Sequence, residues 1–314
     1  MPSWTLESAT GSPAEKLSQH RDMTLLEAGT KRHHALADFV VRLGRDKPLG
    51  AIGGTIVLVL LFCGIFADVV APYEMDEMEI LDRFAGASSK HLLGADQAGR
   101  DILSRLIYGA RVSLIVGLGA TTVTVAIATT IGVPSGYFGG KFDIILQRFV
   151  DAWISLPFLL ILLTIMSIMG RGMLQIILVI GVLSGIGWSR VVRSAVIGIK
   201  ENDYFLAAKA IGSTDATTMR RHIIPNIMAP IIVIYSITVG SSILAEAGLS
   251  FLGFGLPFEV PSWGGMLSGE GRRYIDMKPT LALWPGVCLT VVVYSVNMFG
   301  DAIRDLLDPR LRGG

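Results

Sequence analysis

The sequence predicts an all-α membrane protein with six transmembrane helices, and three observations carry that reading. Of 314 residues, 51% are hydrophobic and only 17% charged, a balance too apolar for a water-soluble domain of this length. Six stretches of 18 residues or more contain no Asp, Glu, Lys or Arg, each close to the roughly 20 residues that a helix needs to cross a hydrocarbon core. With the N-terminus inside, 18 of the 27 Lys and Arg fall on the cytoplasmic side. That bias supports an N-in, C-in orientation.

Taken in order, residues 1–48 read as a cytoplasmic tail. Residues 1–30 are rich in Ser, Thr, Glu and Gly and read as a flexible segment. From Lys31 to Lys47 basic residues interleave with Leu36, Phe39, Val40 and Leu43, which fits a helix in the headgroup layer or a plain polar linker. Residues 49–71 hold the first span, charge-free from Pro48 to Ala67, expected to stay as an anchor because no signal-peptide pattern precedes it. Residues 72–109 form an extracytoplasmic segment, ending in a helical stripe of Ile102, Leu103, Leu106 and Ile107 expected to lie on the outer surface and feed the second span.

Residues 110–305 read as a five-helix core. Its charge-free runs are Val112–Gly140, Ala152–Gly170, Gly172–Ser189, Ile223–Ala245 and Pro279–Gly300. Gly132, Gly136 and Gly140 in the second span, and Gly181 and Gly185 in the fourth, have the four-residue spacing that lets helices approach closely in lipid. Pro134 invites a kink. Residues 306–314 are a short cytoplasmic tail.

The polar insert at 193–225 is the most informative stretch. Ala-rich sequence up to Ile211 favours a helix, Gly212 suits the left-handed residue that ends one, and Ser213 or Thr214 can cap a second helix with Asp215 in its first turn. Tyr204, Ala208 and Ile211 share a face of the first limb, and Ala216, Met219 and Ile223 share one of the second. Those faces can pack on the protein's own helix ends or enter a groove on a partner.

Ala207-Ala208, then Gly212, then His222-Ile223-Ile224-Pro225 resembles the coupling loop of ATP-binding-cassette importer permeases, with Leu206 standing where that family usually has Glu. Three further stretches resemble the C-type subunit of the dipeptide and oligopeptide branch. They are His91-Leu92-Leu93-Gly94-Ala95-Asp96 through Gly99-Arg100-Asp101 to Arg111-Val112-Ser113-Leu114; Gly248 to Gly255 with Pro261-Ser262-Trp263-Gly264; and Gly300-Asp301-Ala302-Ile303-Arg304-Asp305 with Asp308 to Arg312. Phe258-Glu259-Val260 departs from the proline-rich run common there.

The resemblance implies a type I importer permease fold in the bacterial inner membrane, translocating di- or oligopeptides, with nickel, glutathione or oligosaccharide as alternative cargo. It implies that Tyr204, Phe205, Ala207, Ala208, Ile211, Gly212, Met219 and Pro225 dock on an ATPase. Its implied partners are a second homologous permease subunit, two ATP-binding subunits and an extracytoplasmic substrate-binding protein.

Several features argue against other classes. The nearest approach to a phosphate loop, Ser135 to Phe142, lacks the first glycine and the Ser or Thr that holds magnesium, so ATP and Mg belong on partner chains. No catalytic, cofactor or metal constellation is evident: His33 and His34 stand in the tail, and Cys63 and Cys288 read as small buried hydrophobes. A net charge of +1 gives no field for nucleic acid. A stand-alone secondary transporter would show a clear internal repeat or several deep ionisable residues. Glu246 is the ionisable residue deepest in a span, read as lining the path or as pairing with a neighbouring span's Ser, Thr or Arg. Asp151 is expected to pair with Arg148 on one helix face.

Overall fold

The computed structural model describes residues 41–202, 212–257, 259–268 and 272–307. The tail helix expected over 31–47 lies largely outside them, as does the first limb of the insert. Among the described residues the structure is helical, with no strand. Helix α1, Pro48–Ile65, opens on a proline, whose missing N–H costs nothing at a first turn. It is followed by α2, Ile102–Phe138, and α3, Gly140–Ile154. Then come α4, Phe158–Met169, and α5, Met173–Lys200. Helix α6, Met228–Phe251, and α7, Thr280–Leu307, complete the set.

Among the described residues five helical runs are each long and apolar enough to cross a membrane, and α3 with α4 makes a sixth only when the pair is counted as one bent span. The third span was expected as one straight run from Ala152 to Gly170. It is broken instead: α3 and α4 meet at 84°. The charge-free window hid the cause, Pro157, which caps α4 and cannot continue α3's hydrogen-bond ladder. Alone, the 12 residues of α4 reach about 18 Å, short of a hydrocarbon core of about 30 Å.

The stripe at 102–107 is also corrected. Rather than lying on a surface, Ile102 and Leu106 are buried in the first turns of a continuous 37-residue helix. Asp101 caps that helix, its Oδ2 accepting the N–H and hydroxyl of Ser104 at 2.8 Å each. Its Oδ1 meets Nδ1 of buried His91 at 3.0 Å, and the other ring nitrogen meets Asp82 at 3.1 Å. Lys278, just before α7, donates to the carbonyls of Phe84 and Ala85, tying the segment between α1 and α2 to the bundle.

Helix α2 is the centre of the bundle, and its seam with α5 is built from glycine on both sides. A Cβ on Gly181 would come 2.5 Å from Val123 Cβ, one on Gly185 2.6 Å from Ile127 Cβ, and one on Gly136 2.8 Å from Val196 Cβ. In lipid no hydrophobic force drives helices together, so such backbone proximity supplies the contact through dispersion. Elsewhere Leu58 is 66% exposed, Ile145 71% and Ile168 81%. Apolar faces of that extent are matched by acyl chains rather than water.

Candidate coupling site

The insert's second limb begins at Gly212, whose φ of +84° is a conformation that costs glycine nothing and L-residues with a Cβ up to about 2 kcal/mol. Thr214 then caps the helical turn Asp215–Thr218, its hydroxyl accepting the Thr217 N–H. A π turn follows over Met219–Ile223 and a 3-10 turn over Ile224–Ile227. Pro225 accounts for the irregularity, since it lacks the N–H that a regular α-helix uses there. The run then enters α6 directly.

The face of this limb divides in two. Ile223 is fully buried among Val133, Tyr137, Val192 and Val196 at the ends of α2 and α5, and Met219 is half-buried against the same group. That part packs on the protein's own helix ends. Ala216 and Pro225 remain exposed. Tyr204, Phe205, Ala207, Ala208 and Ile211, with Leu206, lie outside the described residues.

Polar links hold the limb in place. The Tyr137 hydroxyl, in the last turn of α2, donates to Asp215 at 2.5 Å. Lys200, at the end of α5, donates to the carbonyls of Tyr137 at 2.7 Å and Gly136 at 3.2 Å. About two turns deeper, Arg193 of α5 clamps Asp143 of α3 through two nitrogens, at 2.6 and 2.5 Å, and Ser135 of α2 donates to the same carboxylate at 2.5 Å. The paired guanidinium geometry is the strongest form of such contact. Three helices and the insert thus share one junction. Sequence reasoning missed it because bonded partners such as Tyr137 and Asp215 are 78 residues apart; the signal was that Asp143, Arg193 and Lys200 all flank charge-free runs near the insert.

Residues 128–313 match the family described as binding-protein-dependent transport system inner membrane component. The dipeptide transport system permease protein DppC of Alkalihalophilus pseudofirmus is 36% identical over 85% of this chain and 88% of its own. The glutathione transport system permease protein GsiD of Pectobacterium atrosepticum is 36% identical over 82% and 86%, and that of Escherichia coli O157:H7 33% over 86% and 89%. The chain belongs to this family of ATP-binding-cassette importer permeases. A chain of the inward-facing methionine transporter MetNI aligns with a TM-score of 0.52 at 19% identity, covering 65% of this chain and 96% of that one. The permease therefore has the type I importer fold and is a multi-pass protein of the bacterial inner membrane.

Glu246 of the permease is fully buried in α6, and its Oε1 accepts the Ser250 hydroxyl at 2.7 Å. That contact is internal, to a residue one turn on in the same helix. Asp151 meets Arg148 at 3.6 Å and, more closely, Arg190 of α5, so that pair also ties α3 to α5. Among the described residues no group of His, Cys, Asp or Glu is placed to hold a metal ion.

Proposed function

We propose that the permease moves short peptides inward by alternating access, and that the insert at 193–225 receives the closing motion of ATP-hydrolysing subunits. The observation that carries the second part is the seat of the second limb: the Tyr137–Asp215 bond holds it to α2 and Ile223 packs it against Val192 and Val196 of α5, while Ala216 is exposed. A push on such a limb is passed to two spans at once. Peptide cargo is supported by relatives named for dipeptide and for glutathione, itself a peptide. In this reading ATP and Mg sit on two partner subunits, a second permease subunit completes the path, and an external binding protein delivers cargo. The N- and C-termini face the cytoplasm, residues 1–48 and 306–314 form the tails, 72–109 lies outside, and 110–305 forms the core.

The test is reconstitution in proteoliposomes with candidate partners. Replacing Gly212 by Val puts a β-branched residue where φ is +84° and should abolish cargo-stimulated ATP hydrolysis without reducing membrane insertion. Unchanged stimulation would refute the docking role. Uptake of labelled dipeptide by the wild-type complex tests the cargo.

A further inference from the structure

Helices α1, α2 and α7 leave between them a groove of about 360 Å³, which Leu93 from the segment between α1 and α2 also lines. Its lining side chains are hydrocarbon apart from two thiols, Cys63 and Cys288, and two indoles, Trp263 and Trp284. The indole N–H of Trp263 donates to the Leu106 carbonyl at 3.1 Å, and no lining side-chain nitrogen or oxygen is buried without a partner. We infer that this groove is a lipid site, holding one acyl chain of a membrane phospholipid in the leaflet on the side of residues 72–101. The inference stands apart from the identity of the cargo.

The groove opens sideways between α1 and α7. Its floor residues Leu60, Leu106, Ala110 and Val292 are buried, whereas Val59 of α1 and Val287 and Val291 of α7 are exposed at its mouth. Along α7 the lining runs from Trp284 to Val292, about 12 Å, close to the roughly 15 Å that half a hydrocarbon core offers one chain. Water is the wrong occupant, because a cavity without hydrogen-bond partners stays dry. An empty groove would leave its walls without dispersion contacts. A helix of another protein chain is also a poor fit. Helices meet in lipid through small residues, and those of α1 already face its own chain: a Cβ on Gly53 would come 2.6 Å from the Ser295 carbonyl oxygen of α7, and one on Gly64 3.2 Å from the Arg111 Cα of α2. The mouth carries valines instead. A helix of the groove's length, about 10–12 Å across, occupies about 1,000 Å³, nearly three times the space. An acyl chain bends to an irregular wall, and a lining without a charged side chain recognises that chain and not the headgroup.

The experiment is photolabelling of the purified complex, with its partner subunits, in proteoliposomes that carry a trace of phosphatidylcholine with a diazirine midway along one acyl chain; labelled residues are mapped by mass spectrometry. The wild type should be labelled at the floor, on Leu60, Leu106, Ala110 and Val292, as well as on exposed Val59 and Val291, because only a chain inside the groove reaches the floor. Cys288→Phe, which fills the groove, should lower floor labelling several-fold and leave unchanged the labelling of Leu58, which is exposed on α1 outside the groove. A phosphatidylglycerol probe with the same chain should repeat the wild-type pattern. Label confined to the exposed residues is bulk lipid passing by and overturns the assignment. Label at neither mouth nor floor means that another protein chain covers the groove, and overturns it as well. So does floor labelling that Cys288→Phe leaves unmoved or that only one headgroup gives. The wild-type pattern decides the matter by itself if Cys288→Phe does not fold.

Discussion

At the scale of single residues, glycine does two different jobs in this permease. Gly212 is needed for its backbone angle, since no described residue lies within 4 Å of where a Cβ would stand. Gly181 and Gly185 are needed for space. A valine at 185 would drive its Cβ to within 2.6 Å of Ile127 Cβ, and overpacking of that kind costs about 1–3 kcal/mol. Gly185→Val should therefore lower the thermal unfolding midpoint of the detergent-solubilised protein. Gly198, on the same helix but with nothing within 4 Å, is the control: Gly198→Ala should stabilise by roughly 0.5–1 kcal/mol, as replacing a mid-helix glycine does. The four-residue spacing was legible in the sequence, but which glycines touch was not, because spacing on one helix says nothing about the partner's register. The same limit hid the Tyr137 to Asp215 bond. Removing it by Tyr137→Phe should speed hydrogen exchange over residues 213–223 while leaving the exchange of α5 residues 176–192 unchanged.

At the scale of elements, the segment 72–101 carries a pH-sensitive cluster. His91 sits between Asp101 and Asp82. Burial pulls its pKa down, but hydrogen bonds and charge from the two carboxylates outweigh that and hold it above the ordinary 6.5. The bonds from Lys90 and His91 hold Asp82 below the usual carboxylate range. The sign follows from linkage. The histidine's contribution is complete below pH 6.5 and is lost as pH rises through its folded value. The aspartate's is present above the usual carboxylate range and is lost as pH falls through its lowered value. The segment should then be most protected in mildly acid solution. Hydrogen exchange over 79–101 should be slower at pH 6 than at pH 8 once corrected for intrinsic rates, and His91→Gln should flatten the difference. The bend between α3 and α4 is a second element-scale feature, and it was missed because counting charge-free residues ignores Pro157. Within one window, apolar length and helical continuity are separate properties.

At the scale of the whole molecule, most of the architecture was legible because a bilayer leaves so few choices: every span must be helical and apolar. The ends were legible less well. The charge-free run of α5 ends at Ser189 but the helix runs to Lys200, because the charges that end an apolar run mark the lipid boundary and not the helix. Arg190, Arg193 and Lys200 instead meet Asp151, Asp143 and the end of α2 beyond that boundary. Under the proposed orientation the insert and residues 72–109 lie on opposite faces of the membrane. The two native cysteines make it testable. Cys63 and Cys288 both line an apolar cavity of about 360 Å³ between α1, α2 and α7, where a charged reagent gains no hydration. The native chain should stay unlabelled by a membrane-impermeant maleimide. Exposed single substitutions should then report by side. Ser89→Cys should label in intact spheroplasts, and Arg221→Cys only in inverted vesicles. The reverse pattern would turn the permease over, placing both the insert and its ATPase docking on the wrong face.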